Sequence, residues 1–404
     1  MTQALTDIRV IDWTVLQMGP VAGKLLADLG AEVIKVEQKG VGDLARGVTH
    51  IAGQPTGKPG RNFYFEMNGR NKKSVALDLK KKQGKEVIYR LVEKSDVFIH
   101  NFRRGVPEGL GLDYDTLRQY NPLLIYACGS GLGSKGPEIG RPYVDGAALA
   151  RSGFMDTLAP LGMPPDIVPG GISDQMAGGL LTCGILAALV ARELQGIGQK
   201  VDVSLLGSMI WLQTLTISGY LATGQEEPKH HHDCPPSALY TSYLCADNRW
   251  LLLVMMRSGP LWHDICTAIG MPELEHHPHF STEQLRREHS EELAGLLSKV
   301  FASKTSVEWV AIFRQYPDFI YEVVSKVSNL VTDPQVLANE YIVDYSHPSR
   351  GSNKVIGIPV KLSQTPGELK LPVPELGQHT EEVLIDVCGY SWQDITQLKE
   401  MEVI

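Results

Sequence analysis

The sequence predicts an α/β protein, with a Rossmann-like large domain built on a parallel sheet and a smaller α+β domain. Two observations carry that expectation. Strand-like runs alternate with helical patterns through the first half of the chain, starting with a β-loop-α-β unit over residues 8–37. Such units give parallel strands joined by right-handed crossovers. A polar, proline-bearing stretch, Gly224 to Lys229 followed by His230-His231-His232-Asp233-Cys234-Pro235-Pro236, then interrupts the alternation and reads as a boundary.

The elements follow in order. Residues 8–12 alternate as a strand, a loop follows at Gln17-Met18-Gly19-Pro20, and a helical pattern runs to Leu29 before Gly30 ends it. Ala31 to Glu37 reads as the second strand, Ser74 to Leu79 as the third, Val97 to Ile99 as the fourth and Leu123 to Ala127 as the fifth. A long helix after Asp174, a strand over 200–205 and an apolar helical run from Met209 to Leu221 complete the large domain at residue 224. Residues 237–325 form the small domain, with strands at 239–245 and 250–256 and helices from Leu261 and Glu283. From 326 to 404 the chain passes Pro334, Pro348, Pro359, Pro366, Pro372 and Pro374 and ends in a helix near 380–388. This segment reads as a return strap that completes the large domain.

Composition narrows the function. Lys+Arg 38 against Asp+Glu 46 leaves the 404-residue chain at a net charge of −8, which excludes a protein organised around a basic nucleic-acid surface. The longest nearly unbroken apolar run, Leu180 to Ala191, is shorter than the ~18–20 residues of a membrane span and reads as a buried helix. The N-terminal residues lack a secretory pattern, so a cytoplasmic location is expected. Cys128, Cys183, Cys234, Cys245, Cys266 and Cys388 lie far apart, without a CxxC pair, and imply a reducing compartment and no structural zinc. No metal is expected: His230 to His232, like His276, His277 and His279, read as solvated loop residues. The first loop has only Gly19 and Gly23 where a dinucleotide fingerprint needs GxGxxG, so no redox nucleotide is expected.

The sharpest local feature is Pro169-Gly170-Gly171-Ile172-Ser173-Asp174-Gln175-Met176-Ala177-Gly178-Gly179, just ahead of the helical run from Leu180. Four glycines surround one acid. A carboxylate at a helix N-terminus is held ionised by the macrodipole and by unpaired backbone N–H groups. The residues alone leave two readings open: Asp174 or Ser173 as a simple N-cap, or Asp174 as a carboxylate nucleophile with close backbone approach around it.

Several blocks together resemble the class III CoA-transferases, the CaiB/BaiF family: Gly30 to Glu37, Asn71 to Leu79, Asn101-Phe102-Arg103, Gly111-Leu112-Asp113-Tyr114, Asn121-Pro122, Gly131 to Pro137 and the Asp174 block. The match in order and spacing spans nearly the whole chain. The resemblance implies that Asp174 is the catalytic nucleophile and that coenzyme A, as acyl-CoA, and a carboxylic acid are the substrates. CoA would be exchanged through an aspartyl anhydride and an aspartyl-CoA thioester. It also implies a CoA cleft lined by Gln17, Met18, Lys39, Asn71, Lys72, Lys73, Asn101, Arg103 and Arg104. Backbone N–H groups of Gly131, Gly133, Gly178 and Gly179 would stabilise oxyanions, and Leu132, Arg141, Tyr143 and Asp145 would border the acyl group. Family members form interlocked homodimers, which is the expectation here.

Three departures from the family pattern stand out. Leu132 replaces an aromatic residue of many relatives, Gly109 stands where several have a basic residue, and Gly259 is the sole glycine of the 256–260 stretch, where formyl-CoA transferases carry a glycine run. In the general run of the blocks the chain most resembles the branch acting on aryl or branched 2-hydroxy acids. A 2-methylacyl-CoA racemase is the alternative within the family, but the Gly-His-Asp step of racemases aligns near Val144-Asp145, without a His. A non-catalytic acyl-CoA-binding subunit is the alternative outside enzymes, and the presence of Asp174 argues against it.

Overall fold

The computed structural model describes residues 2–51, 53–57, 62–347 and 351–404; Pro348 lies outside the described residues. The chain divides into two compact units, one of residues 1–156, 166–224 and 337–404, the other of residues 157–165 and 225–336.

The first unit is built on six strands: β1 (Arg9–Trp13), β2 (Glu32–Gln38), β3 (Lys72–Leu77), β4 (Val97–His100), β5 (Ile125–Ser130) and β6 (Gln199–Ser204). Their order is β3-β2-β1-β4-β5-β6, and every neighbouring pair is parallel. This is the dinucleotide-fold order, whose direction reverses between β1 and β4 and opens a crevice beyond the strand C-termini there. The helices used below are α1 (Met18–Asp28), α2 (Lys82–Glu93), α3 (Asp145–Arg151), α4 (Ile172–Gln195), α5 (Leu205–Leu212) and α6 (Thr214–Thr223) in this unit, α7 (Ser258–Ala268), α8 (Ser290–Phe301) and α9 (Ser306–Phe313) in the other, and α10 (Thr380–Asp386) and α11 (Trp392–Glu400) at the C-terminus.

Alternation along the strands sorts side chains onto two faces. Val10, Val33, Ile99 and Ala127 pack with Leu26 of α1 and Leu181 and Ile185 of α4. Ile11, Ile34, Val75 and Phe98 pack on the other face with Val87 and Leu91 of α2 and with Val383, Leu384, Ile395 and Leu398 of α10 and α11. The C-terminal segment, residues 337–404, packs on this unit. Along the outer edge of β3 it makes backbone contacts, Asn71 N to Leu371 O at 3.0 Å, His379 N to Ser74 O at 2.9 Å and Asp78 N to Val403 O at 2.8 Å. An edge that would otherwise offer unpaired groups is thereby covered.

The differences from expectation have local causes. The strand expected from Ser74 begins at Lys72, because Val33 to Gln38 of β2 pair with Lys72 to Leu77. The apolar run 209–221 is not one helix: α5 and α6 meet at a 72° bend. There the Gln213 amide donates to Ser152 O and back to Met209 O. Helix α4 begins at Ile172 rather than near Leu180 and runs 24 residues, long and apolar enough by length and composition to cross a membrane. Its Ala177, Leu181, Ile185 and Ala188 are nevertheless buried against the protein's own core. In the second unit, β7 (Ser242–Leu244), β8 (Trp250–Leu253) and β9 (Tyr321–Val323) form an antiparallel sheet in the order β9-β8-β7. Trp262 of α7, Leu293 and Phe301 of α8 and Trp309 and Phe313 of α9 fill its core. The strand β9 has no counterpart in the sequence expectation.

Helix α1 crosses α4 closely at Gly178, where a Cβ would stand 2.5 Å from Val21 Cγ1 and 2.8 Å from the Met18 carbonyl oxygen. A Cβ on Gly179 meets nothing within 4 Å. Gly178→Val is therefore expected to cost at least the about 1–3 kcal/mol of an overpacked core, whereas Gly179→Ala should gain up to about 1 kcal/mol of helix propensity. Urea unfolding of the two variants checks the contrast.

Candidate active site

The site starts from a charged layer under the crevice. Asp12, Lys35 and Lys72 project from three adjacent strands and are all essentially sealed from solvent. Lys72 Nζ lies 2.7 Å from Asp12 Oδ2 and donates to Pro20 O at 2.9 Å; Lys35 Nζ lies 2.8 Å from Asp43 Oδ2 and donates to Thr14 O at 3.0 Å. Glu37 accepts from Arg46 at 2.7 and 2.8 Å and from Ser74 Oγ at 2.7 Å. Burial alone would raise the Asp12 carboxyl, but Lys72 and Lys35 outweigh it and hold the group below the usual carboxylate range.

This layer and its neighbours pin the loop after β1 residue by residue. Val15 N donates to Asn101 Oδ1 at 2.8 Å and Asn101 Nδ2 donates to Val15 O at 2.7 Å, so the loops after β1 and β4 are stapled across the topological switch. Leu16 is held at a φ of 64° and its N–H donates to Asp43 Oδ1 at 2.9 Å. For a side chain of this type the left-handed conformation costs about 1–2 kcal/mol and persists because the surroundings impose it. Gly19 is required where α1 begins, since a Cβ there would be 2.5 Å from Thr14 Cγ2.

Two helix N-termini converge on Asp174. The residue stands in the first turn of α4, whose N-cap is Gly171 at a φ of 63° with the Gln17 amide only 2.3 Å from where its Cβ would be. The Met18 backbone N–H, at the start of α1, lies close enough to the Asp174 carboxyl to favour its ionised form. Neither Ser173 nor Asp174 is the N-cap. Asp145, the first residue of α3, supplies that function from outside: its Oδ1 accepts from Ser173 N at 2.8 Å, Ser173 Oγ at 2.7 Å and Asp174 N at 3.3 Å. The expectation that the helix end keeps Asp174 ionised is reversed. Burial, and then the facing Asp145 carboxylate, push the Asp174 carboxyl up to about 7, with the Met18 N–H pulling the other way. The helix-end field is weaker here than desolvation plus a like charge.

The other anticipated residues divide by position. Gln17, Met18, Asn101 and Asp145 surround the Asp174 carboxyl or its supports. Lys39, Arg103 and Arg104 follow the C-terminal ends of β2 and β4, with both arginines exposed. Asn71, Lys72 and Lys73, expected in the CoA cleft, open β3 at the end of the sheet opposite the crevice, and each is engaged within the fold. Asn71 bonds Asp28 Oδ1 and the backbone of Glu368, Lys370 and Leu371; Lys73 pairs with Glu32 at 3.0 Å and Glu382 at 2.8 Å. The residues that do follow β3 toward the crevice are Asp78, Leu79 and Lys80.

The glycines divide too. Gly178 and Gly179 lie past the first four N–H groups of α4, so their amides belong to the helix rather than to an oxyanion. The Gly133 N–H donates to Ser130 Oγ at 3.1 Å. Gly131 gives room to Tyr143, whose Cβ would be 2.3 Å from a Cβ at Gly131 and whose hydroxyl donates to Ala147 O at 3.1 Å. Leu132 follows in the same turn, and Arg141 pairs with Glu138 at 2.7 Å. Two residues were missed by the sequence reading. Asp43 carries the loop before α1, and Tyr64 has its hydroxyl pushed up to about 12 by burial and by Asp174, Asp43 and Asp145. No periodicity links Tyr64 to Asp174 or Asp43 to the loop before α1; only the fold brings them together.

A raised carboxyl pKa has a stability consequence with a definite sign. The folded state keeps the Asp174 proton to about pH 7, whereas an ordinary carboxyl loses it near 3.8. Native stability from this group is therefore full below pH 3.8 and lost as pH rises toward 7. Asp174→Asn should melt higher than wild type at pH 8 and show a smaller advantage at pH 4.5, read by thermal unfolding at both pH values.

Comparison with known proteins agrees with this architecture. The model for CoA-transferase family III matches residues 5–380. An acyl-CoA transferase of Fusarium pseudograminearum is 35% identical over 99% of this chain and 88% of its own, and the succinyl-CoA–D-citramalate CoA-transferase of Chloroflexus aurantiacus is 32% identical over 99% and 98%. A crystal structure of a CaiB/BaiF family protein from Brucella suis superposes with a TM-score of 0.83 at 25% identity, covering 96% of this chain and all of the other. With the parallel sheet, the stapled loops and the carboxyl at two helix ends already in place, the chain belongs to CoA-transferase family III and is an enzyme.

Proposed function

We propose that this enzyme moves CoA from an acyl-CoA donor to a branched 2-hydroxy carboxylic acid, with Asp174 as the covalent nucleophile. The observation that carries the reading is the placement of the Asp174 carboxyl: mostly buried in the first turn of α4, facing Asp145 and close to the Met18 N–H at the start of α1. In its ionised form an Asp174 oxygen attacks the thioester carbonyl carbon, the C–S bond breaks, and a mixed anhydride and CoA thiolate form. The thiolate attacks the Asp174 carbonyl, the donor leaves as its carboxylate, and an aspartyl-CoA thioester remains. The acceptor carboxylate then attacks the Asp174 carbonyl and expels the thiolate, and the thiolate attacks the acceptor carbonyl of this second anhydride. The products are the new acyl-CoA and the regenerated Asp174 carboxylate. One thioester replaces another, so no energy source beyond the donor is needed.

The proposal gives the N–H groups at the α1 N-terminus, Met18 and Gly19, the task of stabilising developing oxyanions in place of Gly178 and Gly179. Lys39, Lys80, Arg103 and Arg104, after the C-terminal ends of β2, β3 and β4, form the cation set for the CoA phosphates. Asp145 positions the nucleophile and sets its acidity. The acceptor class rests on the Chloroflexus relative, named for D-citramalate, a branched 2-hydroxy acid. Association with a second copy in an interlocked dimer is part of the same reading. It is supported by the apolar outer face of α5 and α6, where Trp211, Leu215 and Leu221 are 59%, 88% and 77% exposed in the single chain. A reducing, cytoplasmic setting fits six unpaired cysteines.

Kinetics test the role of Asp174 against the racemase alternative. Asp174→Asn is expected to bind CoA with unchanged affinity and lose at least about 10³-fold in kcat, the scale of a lost covalent nucleophile. In wild type, CoA transfer to citramalate should proceed without exchange of the donor's α-proton in deuterium oxide. Retained turnover in the variant, or α-proton exchange without transfer, contradicts the proposal.

A further inference from the structure

The second unit carries a cluster that the transferase chemistry does not use. His279, His289 and Glu292 each present one ligand atom, and the three atoms lie within 4.8 Å of one another. The sequence alone gives no reason to combine them, since His279 sits in a Pro-bearing turn and His289 precedes a separate helix. The fold combines them by two local devices. His289 is the residue before α8 and Glu292 lies in its first turn, so the pair shares one helix end at i, i+3. The turn 277–281 is fixed by Phe280 N and Ser281 N donating to His277 O at 2.9 and 3.0 Å, by His279 N donating to His277 Nδ1 at 3.2 Å, and by the buried Phe280 ring.

The two imidazoles stack with centroids 4.0 Å apart and planes within 4°. Both Nδ1 atoms address the same carboxylate oxygen: His279 Nδ1 is 2.7 Å and His289 Nδ1 3.6 Å from Glu292 Oε2. A single cation beside Glu292 meets the in-plane lone pairs of both imidazoles once side-chain rotation splays the rings out of the stack. We propose that His279, His289 and Glu292 form a surface site for a borderline divalent transition metal of the Zn²⁺ class, leaving positions for solvent.

The donor set selects the metal class. Two imidazoles and one carboxylate suit Zn²⁺, Co²⁺, Ni²⁺ or Cu²⁺ and not the all-oxygen shells of Ca²⁺ or Mg²⁺. Tetrahedral zinc with ligands at about 2.0–2.1 Å needs ligand atoms about 3.3 Å apart, so binding lengthens the 2.7 Å His279–Glu292 contact, shortens the 3.6 Å His289–Glu292 one and ties the turn at 277–281 to the start of α8. Both flanking segments are fixed by buried residues, Phe280 on one side and Leu293 on the other, which leaves that movement to the side chains.

The test uses the full-length enzyme and Zn²⁺ alone, titrated against a chromophoric chelator, with Co²⁺ as the spectroscopic probe. The His230-His231-His232 run is a competing ligand, so the reference protein is H230N/H231N/H232N. That protein should bind Zn²⁺ and develop visible Co²⁺ bands, and adding His289→Asn should weaken Zn²⁺ by about tenfold or more, a loss that even outer-shell changes produce at metal sites. Glu292→Gln, which keeps shape and removes charge, should do the same if His289→Asn perturbs folding, with circular dichroism and transferase activity as controls. Zn²⁺ affinity that is unchanged by both substitutions, or that disappears entirely with the histidine run, overturns the proposal.

Discussion

Lys72 and Lys35, buried between Asp12 and Asp43, are the interaction on which the site depends. A buried charge pair contributes little net stability once desolvation is subtracted, and removing one partner of it costs about 3–5 kcal/mol. Its value in this fold is geometric. Lys35 holds Thr14 O, Asp43 holds Leu16 N, and Lys72 holds Pro20 O, so the charged layer fixes the chain on both sides of the α1 N-terminus. The α1 N-terminus is thereby held in place beside Asp174, with the Met18 N–H near its carboxyl.

The same arrangement explains why Asp174 is not a conventional helix-end carboxylate. Its helix is already capped by Asp145, so its own oxygens are left for chemistry, and the capping charge makes ionisation less favourable. A carboxyl raised toward neutrality is a stronger nucleophile once ionised than an ordinary carboxylate, and at neutral pH a substantial fraction is ionised and able to attack. Close packing keeps water from replacing these contacts: Gly171 against the Gln17 amide, Gly19 against Thr14 and Gly178 against Val21 each admit a neighbour where a Cβ would not fit.

The sheet and most of its crossovers were legible because strand alternation and helix periodicity are local signals; β1, β2, β4 and β6 fall within about two residues of where the pattern puts them. Asp174 was legible through its glycines. What escaped was non-local. Asn71, Lys72 and Lys73 look like a phosphate-binding run in one dimension, yet the register of β3 against β2 puts them at the far end of the strand, where they bind the C-terminal strap and the buried charges. Gly178 and Gly179 look like oxyanion donors until the start of α4 is known to be Ile172. Tyr64 comes near Asp174 and Asp43 fixes the loop before α1 through chain folding, and the short strand β9 forms only against β8.

The central claim is that Asp174 carries the acyl group and then CoA. Intact-protein mass spectrometry after mixing the enzyme with succinyl-CoA and hydroxylamine, followed by peptide mapping, addresses it directly. A hydroxamate confined to the peptide containing Asp174, formed only when the acyl-CoA is present, is the expected result. Donor turnover with an unmodified Asp174 peptide, or a hydroxamate on another acidic residue, would contradict the account.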